Sequence, residues 1–201
     1  MTHFNERKSG KLDIIIGPMF SKKSSELVDR LVLFSELGLN VLYINHSFDV
    51  RSTSTILSTH NPIIDLKKLS DIKNLQMESL STLKGVRKEN FDVIGIDEAQ
   101  FFDDSLIDFV QVHVETYKKH LIVCGLNSTS TREKFGHILD LIPLCDTITN
   151  KRAYCHICGP SQKKALFSHK ISKDTDKISI GGKDKYIALC RNCYLEKNQE
   201  I

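Results

Sequence analysis

Apolar residues in this chain fall into short dense runs, at 12–16, 41–44, 91–96 and 121–124, with polar stretches between them. Runs of that length and density predict strands covered on both faces. From Ser24 the apolar positions Leu27, Val28, Leu31, Val32 and Leu37 recur at helical spacing, and Gly38 stands where a helix would stop. Strand, loop, helix and strand in quick succession make a βαβ unit, so the fold class expected is α/β with a parallel sheet. Farther along, the pattern predicts a helix over 105–117, a second over 132–141 that stops before Pro143, and a last strand over 146–150. Residues 47–61, rich in Ser and Thr, read as a loop, while 65–73 and 77–83 carry only weak periodicity. No repeat or low-complexity segment interrupts this order.

Composition sets limits on the reading. A chain of 201 residues, 40% hydrophobic and 26% charged, suits one globular domain with at most a small appendage. A formal charge of +3 on 28 basic and 25 acidic residues is nearly balanced. It gives no support to a nucleic-acid partner. The first residues are polar and lack the apolar core of a signal peptide, and no run approaches a membrane span. A cytoplasmic protein with no membrane partner is therefore expected. Of six cysteines, Cys124 and Cys145 are isolated in apolar surroundings, whereas the other four form two C-x-x-C pairs. In a reducing compartment such pairs read as metal ligands before disulfides.

Three constellations carry chemistry. The first, "GPMFSKKSSEL" from Gly17 to Leu27, has the parts of a phosphate-binding loop between a strand and a helix, but with Lys22 at the second glycine of G-x-x-x-x-G-K-[ST]. Loop amides at a helix N-terminus favour an anion; Lys23 would reach the phosphates and Ser24 would bind magnesium. The second is the strand "FDVIGI", which ends in Asp97-Glu98. In a parallel sheet that end lies beside the phosphate loop, so Asp97 can hold magnesium through water and Glu98 can accept a proton from an attacking hydroxyl. The third is Cys155, Cys158, Cys190 and Cys193, two knuckles that complete a tetrahedral Zn–S₄ site. Four protein ligands leave no open position, which makes the zinc structural.

Together, "LDIIIGPMFSKKSSEL", "FDVIGIDEAQFFDD", "STREKFGHILDLIPLCD", "CHIC" and "IGGKDKYIALCRNCY" resemble the thymidine kinase family of the cellular and viral type, in the family's order and over nearly the whole chain. The resemblance implies a RecA-like P-loop core with helices on both faces over 11–150. It also implies a zinc-ribbon-like lobe over 151–196 carrying a lasso loop, and flexible tails at 1–10 and 197–201. The implied reaction transfers the γ-phosphoryl group of ATP to the 5′-hydroxyl of thymidine, with deoxyuridine as a second acceptor, in a homotetramer. By resemblance, Gly17, Pro18, Met19, Phe20, Ser21, Lys22, Lys23, Ser24, Asp49, Asp97 and Gln100 would hold ATP and Mg²⁺. Glu98 and Arg51 would be catalytic. Met19, Phe101, Leu126, Ser168, Ser179, Ile180, Gly182 and Tyr186 would face the nucleoside.

Two departures accompany the resemblance. Lys22 brings a Cβ and a long side chain where backbone should approach phosphate closely. Ser130 stands where the family usually has an aromatic that stacks on the base. Asn127, where aspartate is common, is a tolerable exchange beside these two. They leave two readings, an active kinase and a fold-retaining paralogue with a structural or regulatory role.

Overall fold

The computed structural model describes residues 9–47, 72–81, 91–172 and 181–199. Six strands form one parallel sheet: β1 (Lys11–Gly17), β2 (Val41–His46), β3 (Lys73–Met77), β4 (Val93–Ile96), β5 (His120–Leu126) and β6 (Thr147–Asn150), ordered β3-β2-β4-β5-β1-β6. The strands that carry the dense apolar runs are the four inner ones, buried almost throughout. The edge strands β3 and β6 have the polar sequences KNLQM and TITN, as half-covered edges require.

Side chains alternate between the two faces of each strand. Ile15, Tyr43, Val93, Ile122 and Cys124 meet Leu27, Val28 and Leu31 of helix α1 (Lys23–Glu36). Ile14, Ile16, Leu42, Ile44, Ile94, Ile96, Leu121 and Val123 point the other way, onto Leu106, Phe109 and Val110 of helix α2 (Ser105–Gln111) and onto Ile138 and Leu141. The α/β architecture with a parallel sheet thus holds as expected.

The helix expected over 105–117 leaves the α-helical path at Gln111 and continues as a π-helical turn, Val112–Thr116. The His113 ring explains the change. Its Nδ1 donates to the Phe109 carbonyl at 2.7 Å, occupying the acceptor that the His113 backbone N–H would use in an α-helix. The second expected helix, over 132–141, is not formed. Residues 128–134 close a tight turn instead, with Thr129 N–H donating to the Glu133 carbonyl at 2.9 Å, and a 3₁₀ segment runs over Ile138–Leu144. Gly136, at φ 58°, separates the two.

Beside the start of β1 and β5 a buried polar cluster replaces apolar packing. The Asp13 carboxylate accepts hydrogen bonds from His120 Nε2 (2.7 Å), Lys11 Nζ (3.0 Å) and Thr147 Oγ1 (2.6 Å). Burial alone would raise Asp13, but these donors hold it well below the usual carboxylate range. A depressed carboxylate stabilises the fold fully above its unfolded value of 3.8, and that contribution drains away as pH falls through the folded value. Asp13→Asn is therefore expected to cost about 3 kcal/mol at neutral pH, as for a broken buried pair. Thermal unfolding should show the gap to wild type closing as pH drops below about 4.

The C-terminal lobe consists of two antiparallel hairpins, β7 (Ala153–Cys155) with β8 (Gly159–Ala165) and β9 (Phe167–Lys170) with β10 (Tyr186–Leu189), followed by helix α3 (Arg191–Gln199). Its small core is Ala153, Ala165, Ala188, Leu189 and Tyr194 around the four paired cysteines. Of the expected tail 197–201, residues 197–199 belong to α3. Among the described residues no helix is long and apolar enough to cross a membrane.

Candidate functional site

The phosphate-loop segment lies where β1 hands over to α1. Gly17 has φ 153°, and the Lys151 carbonyl stands 2.5 Å from where a Cβ would be, so no side chain fits there. Phe20 and Lys22 both adopt left-handed backbone, at φ 63° and 58°. Pro18 O accepts two hydrogen bonds, from Ser21 Oγ at 2.8 Å and from Lys23 Nζ at 2.9 Å, which curls the loop around its own carbonyl. No side chain caps the start of α1, leaving its first amides for an anion. Lys22 occupies the N-cap position in a left-handed conformation and is exposed.

The loop is also fastened to the lobe. Met19 N–H donates to Ser168 Oγ at 2.9 Å, and Phe20 packs against the lobe core. Ser168, expected to face the nucleoside, is buried and gives its hydroxyl to this link.

Asp97 and Glu98 follow β4, beside α1. Asp97 is 3% exposed, and its N–H donates to the Ile44 carbonyl at 2.8 Å. Its carboxylate accepts from Glu98 N–H at 2.8 Å and from the Tyr43 hydroxyl at 3.1 Å, with the Ser24 and Cys124 side chains beside it. Burial first, then the neighbouring Glu98 charge, push Asp97 above its ordinary value. Burial likewise drives Tyr43 and Cys124 well above theirs, so both stay protonated donors. Ser24 at the start of α1 and Asp97 at the end of β4 are thus neighbours.

Glu98 has left-handed backbone, φ 50°, a strained conformation typical of functional sites. Gln100 holds it in place. The Gln100 Nε2 donates to Glu98 Oε2 at 2.6 Å, while its Oε1 accepts from Leu126 N–H at 2.9 Å. A Cβ on Gly125 would stand 2.6 Å from that oxygen, so the glycine leaves room for the amide. Gln100, expected among the nucleotide contacts, is thus a buried brace between the carboxylate and β5.

Of the expected nucleoside-facing residues, Met19, Phe101 and Leu126 are half-buried around this strand end, and Phe101 meets Phe135 edge-on at 5.5 Å. Phe135 was not singled out from sequence, and the stretch that carries it reads as helical there. Phe102 is buried against His46, and Phe167 lies between Tyr194 and the guanidinium groups of Arg132 and Arg191. The Ser130 carbonyl accepts the Tyr194 hydroxyl at 2.5 Å, tying the turn to the lobe. Gly182 opens the turn into β10, its carbonyl accepting from Lys185 and Tyr186 N–H groups at 3.1 and 3.0 Å. Asp49, Arg51, Ser179 and Ile180 lie outside the described residues.

In the lobe, the sulfurs of Cys155, Cys158, Cys190 and Cys193 all lie within 4.8 Å of one another, and none is in a disulfide. Cys158 Sγ is 3.4 Å from Cys193 Sγ and 3.9 Å from Cys190 Sγ. A Zn²⁺ with four thiolates at about 2.3 Å would set sulfurs about 3.8 Å apart, so the residues fit the ion. The four thiols share their protons unevenly: burial would raise Cys155, but N–H groups of Cys158, Cys190 and Ile157 outweigh it and bring Cys155 down to about 6, while Cys158 and Cys193 are raised among their neighbours.

The family model described as "Thymidine kinase" matches residues 10–194. Thymidine kinase 1 of Dictyostelium discoideum is 36% identical over 96% of this chain and 81% of its own length. The thymidine kinase of Yaba monkey tumor virus is 36% identical over 95% of this chain and 98% of its own length. The cytosolic thymidine kinase of Gallus gallus is 32% identical over 96% of this chain and 81% of its own length. Among solved structures, the flagellar accessory protein FlaH of Methanocaldococcus jannaschii superposes with a TM-score of 0.47 at 18% identity, over 79% of this chain and 85% of that one.

Proposed function

Because the chain belongs to the thymidine kinase family of ATP-dependent phosphotransferases, we propose that it transfers the γ-phosphoryl group of ATP to the 5′-hydroxyl of thymidine, giving dTMP. The observation that carries the site assignment is the meeting of Ser24, Asp97 and Glu98 at one end of the sheet, with Glu98 braced by Gln100. Lys23 and the amides at the start of α1 bind the triphosphate. Ser24 and Asp97 would hold magnesium, which when bound neutralises charge on the phosphates. Glu98 takes the proton of the 5′-hydroxyl as that oxygen attacks, and Arg51 and Asp49 complete the phosphate side by resemblance. Phe101 and Phe135 form an aromatic wall that stands in for the missing stacking residue at Ser130. The zinc site holds the lobe that covers the nucleoside, including Ser179, Ile180, Gly182 and Tyr186. Deoxyuridine as a second acceptor, a homotetramer and a cytoplasmic location complete this reading.

Lys22 and Ser130 are the departures that favour the alternative, a non-catalytic paralogue. In the active reading the exposed Lys22 side chain lies along the phosphates rather than against them, and the cost is that of left-handed backbone on a residue with a Cβ, about 1 kcal/mol. Lys22→Gly is expected to raise stability by about that amount, with kcat changed less than about threefold. Denaturant unfolding and steady-state kinetics check this. The reading as a whole is tested by ATP-dependent formation of dTMP from thymidine. Turnover by wild type no greater than that of Glu98→Gln would sink it.

A further inference from the structure

Tyr43 and Cys124 are unexpected polar members of an otherwise aliphatic cluster. Around them on the α1 face of the sheet are Ile15, Leu27, Val28, Leu31, Val41, Val93 and Ile122. Tyr43 is 5% exposed and Cys124 is fully buried. A hydroxyl that deep in the fold needs a partner, and it finds Asp97 at 3.1 Å.

The sheet register explains the meeting. Tyr43 pairs with Gly95 and Ile44 with Ile96 on one side of β4, while Ile96 pairs with Val123 on the other. Asp97 continues the α1 face two residues beyond Gly95, a step of about 6.6 Å that a tyrosine side chain leaning along its strand can span. Cys124, one residue beyond Val123, is abreast of Asp97 on the opposite side. The carboxylate is thus held from two directions, by the Tyr43 hydroxyl of β2 and by Glu98 N–H, with Cys124 of β5 alongside. Ser24 neighbours the carboxylate from the side of the phosphate loop.

We propose that Tyr43 is a positioning residue for the reaction: its buried hydroxyl locks the Asp97 carboxylate in the orientation that, with Ser24, receives the magnesium ion of MgATP. This rests on the kinase reading above and adds to it a residue that touches neither substrate nor metal. A core tyrosine with a packing role alone would affect nucleotide binding equally with and without magnesium. A positioning tyrosine affects only the magnesium-dependent part.

Calorimetric titration of ADP, in excess Mg²⁺ and in EDTA, separates the two for wild type, Tyr43→Phe and Asp97→Asn. Tyr43→Phe should match wild type within about twofold in EDTA, yet lose about tenfold of the affinity gained from magnesium, as for the loss of a partner behind a metal ligand. It should fall between wild type and Asp97→Asn. In kinetics the apparent magnesium constant should rise while kcat at saturating magnesium changes little. Should Tyr43→Phe not fold, Tyr43→Leu, an aliphatic like its neighbours, should give the same magnesium-specific loss. A full magnesium gain in either folded variant, or equal losses with and without magnesium, would overturn the proposal. Wild type that binds ADP with no gain from magnesium would overturn this role alone. No ADP binding by wild type under either condition would overturn the kinase reading, and this role with it.

Discussion

Glu98→Gln is expected to lower kcat for thymidine phosphorylation by about 10²–10⁴-fold, the usual yield of general base catalysis, with KM for ATP within about twofold. The substitution is informative because the carboxylate sits in a defined cradle. Gln100 Nε2 donates to Glu98 Oε2 at 2.6 Å, and an amide oxygen at the same place can accept that bond. The left-handed backbone at φ 50° suits glutamine as poorly as glutamate, so the loop keeps its strain in both proteins. What the variant lacks is the capacity to take a proton. A kcat within about threefold of wild type would remove Glu98 from the chemistry. A rise in KM for ATP with kcat unchanged would instead assign it to nucleotide binding.

Removal of zinc is the second change with a large expected effect. Structural zinc contributes about 10–16 kcal/mol in small peptide sites, far more than a lobe with so small a core can supply by packing. Cys155, Cys190 and Cys193 are themselves buried members of that core, so four unpaired thiols would stand where the lobe needs cohesion. Chelation, or Cys193→Ala, should abolish dTMP formation and melt β7–β10 and α3, while the six-stranded sheet keeps its own two cores. Hydrogen exchange should show fast amides from about residue 153 onward and continued protection in β1, β4 and β5. Metal analysis of the native protein should find about one zinc per chain with thiolate ligation. A Cys155–Cys190 disulfide, or a chelated protein with an intact lobe, would refute the role.

Much of this arrangement is visible in the sequence for a physical reason. β1, β2, β4 and β5 are covered on both faces, so their composition alone marks them. The cysteine pairs are equally plain, since a knuckle needs its two sulfurs three residues apart. The edge strand β3 is faint because KNLQM has neither an apolar run nor strict alternation. The helix expected over 132–141 fails because Ile138 and Leu141 imitate a helical face from within a 3₁₀ segment, while Gly136 breaks the path before it. Tyr43 and Phe135 were invisible as site residues for another reason. Each gains its role from a partner far away in sequence, Asp97 and Phe101, and only sheet order and loop packing create those contacts.

The bond from Met19 N–H to Ser168 Oγ, with Phe20 set into the lobe core, ties the phosphate-loop segment to the cysteine lobe. Any preference of the ordered loop for MgATP is also a preference of the ordered lobe. Linkage is reciprocal, so the factor by which zinc strengthens nucleotide binding is the factor by which nucleotide strengthens zinc binding. A cell short of zinc would therefore lose the metal first from chains without nucleotide, and a supply of ATP would act as a chaperone for the cysteine site.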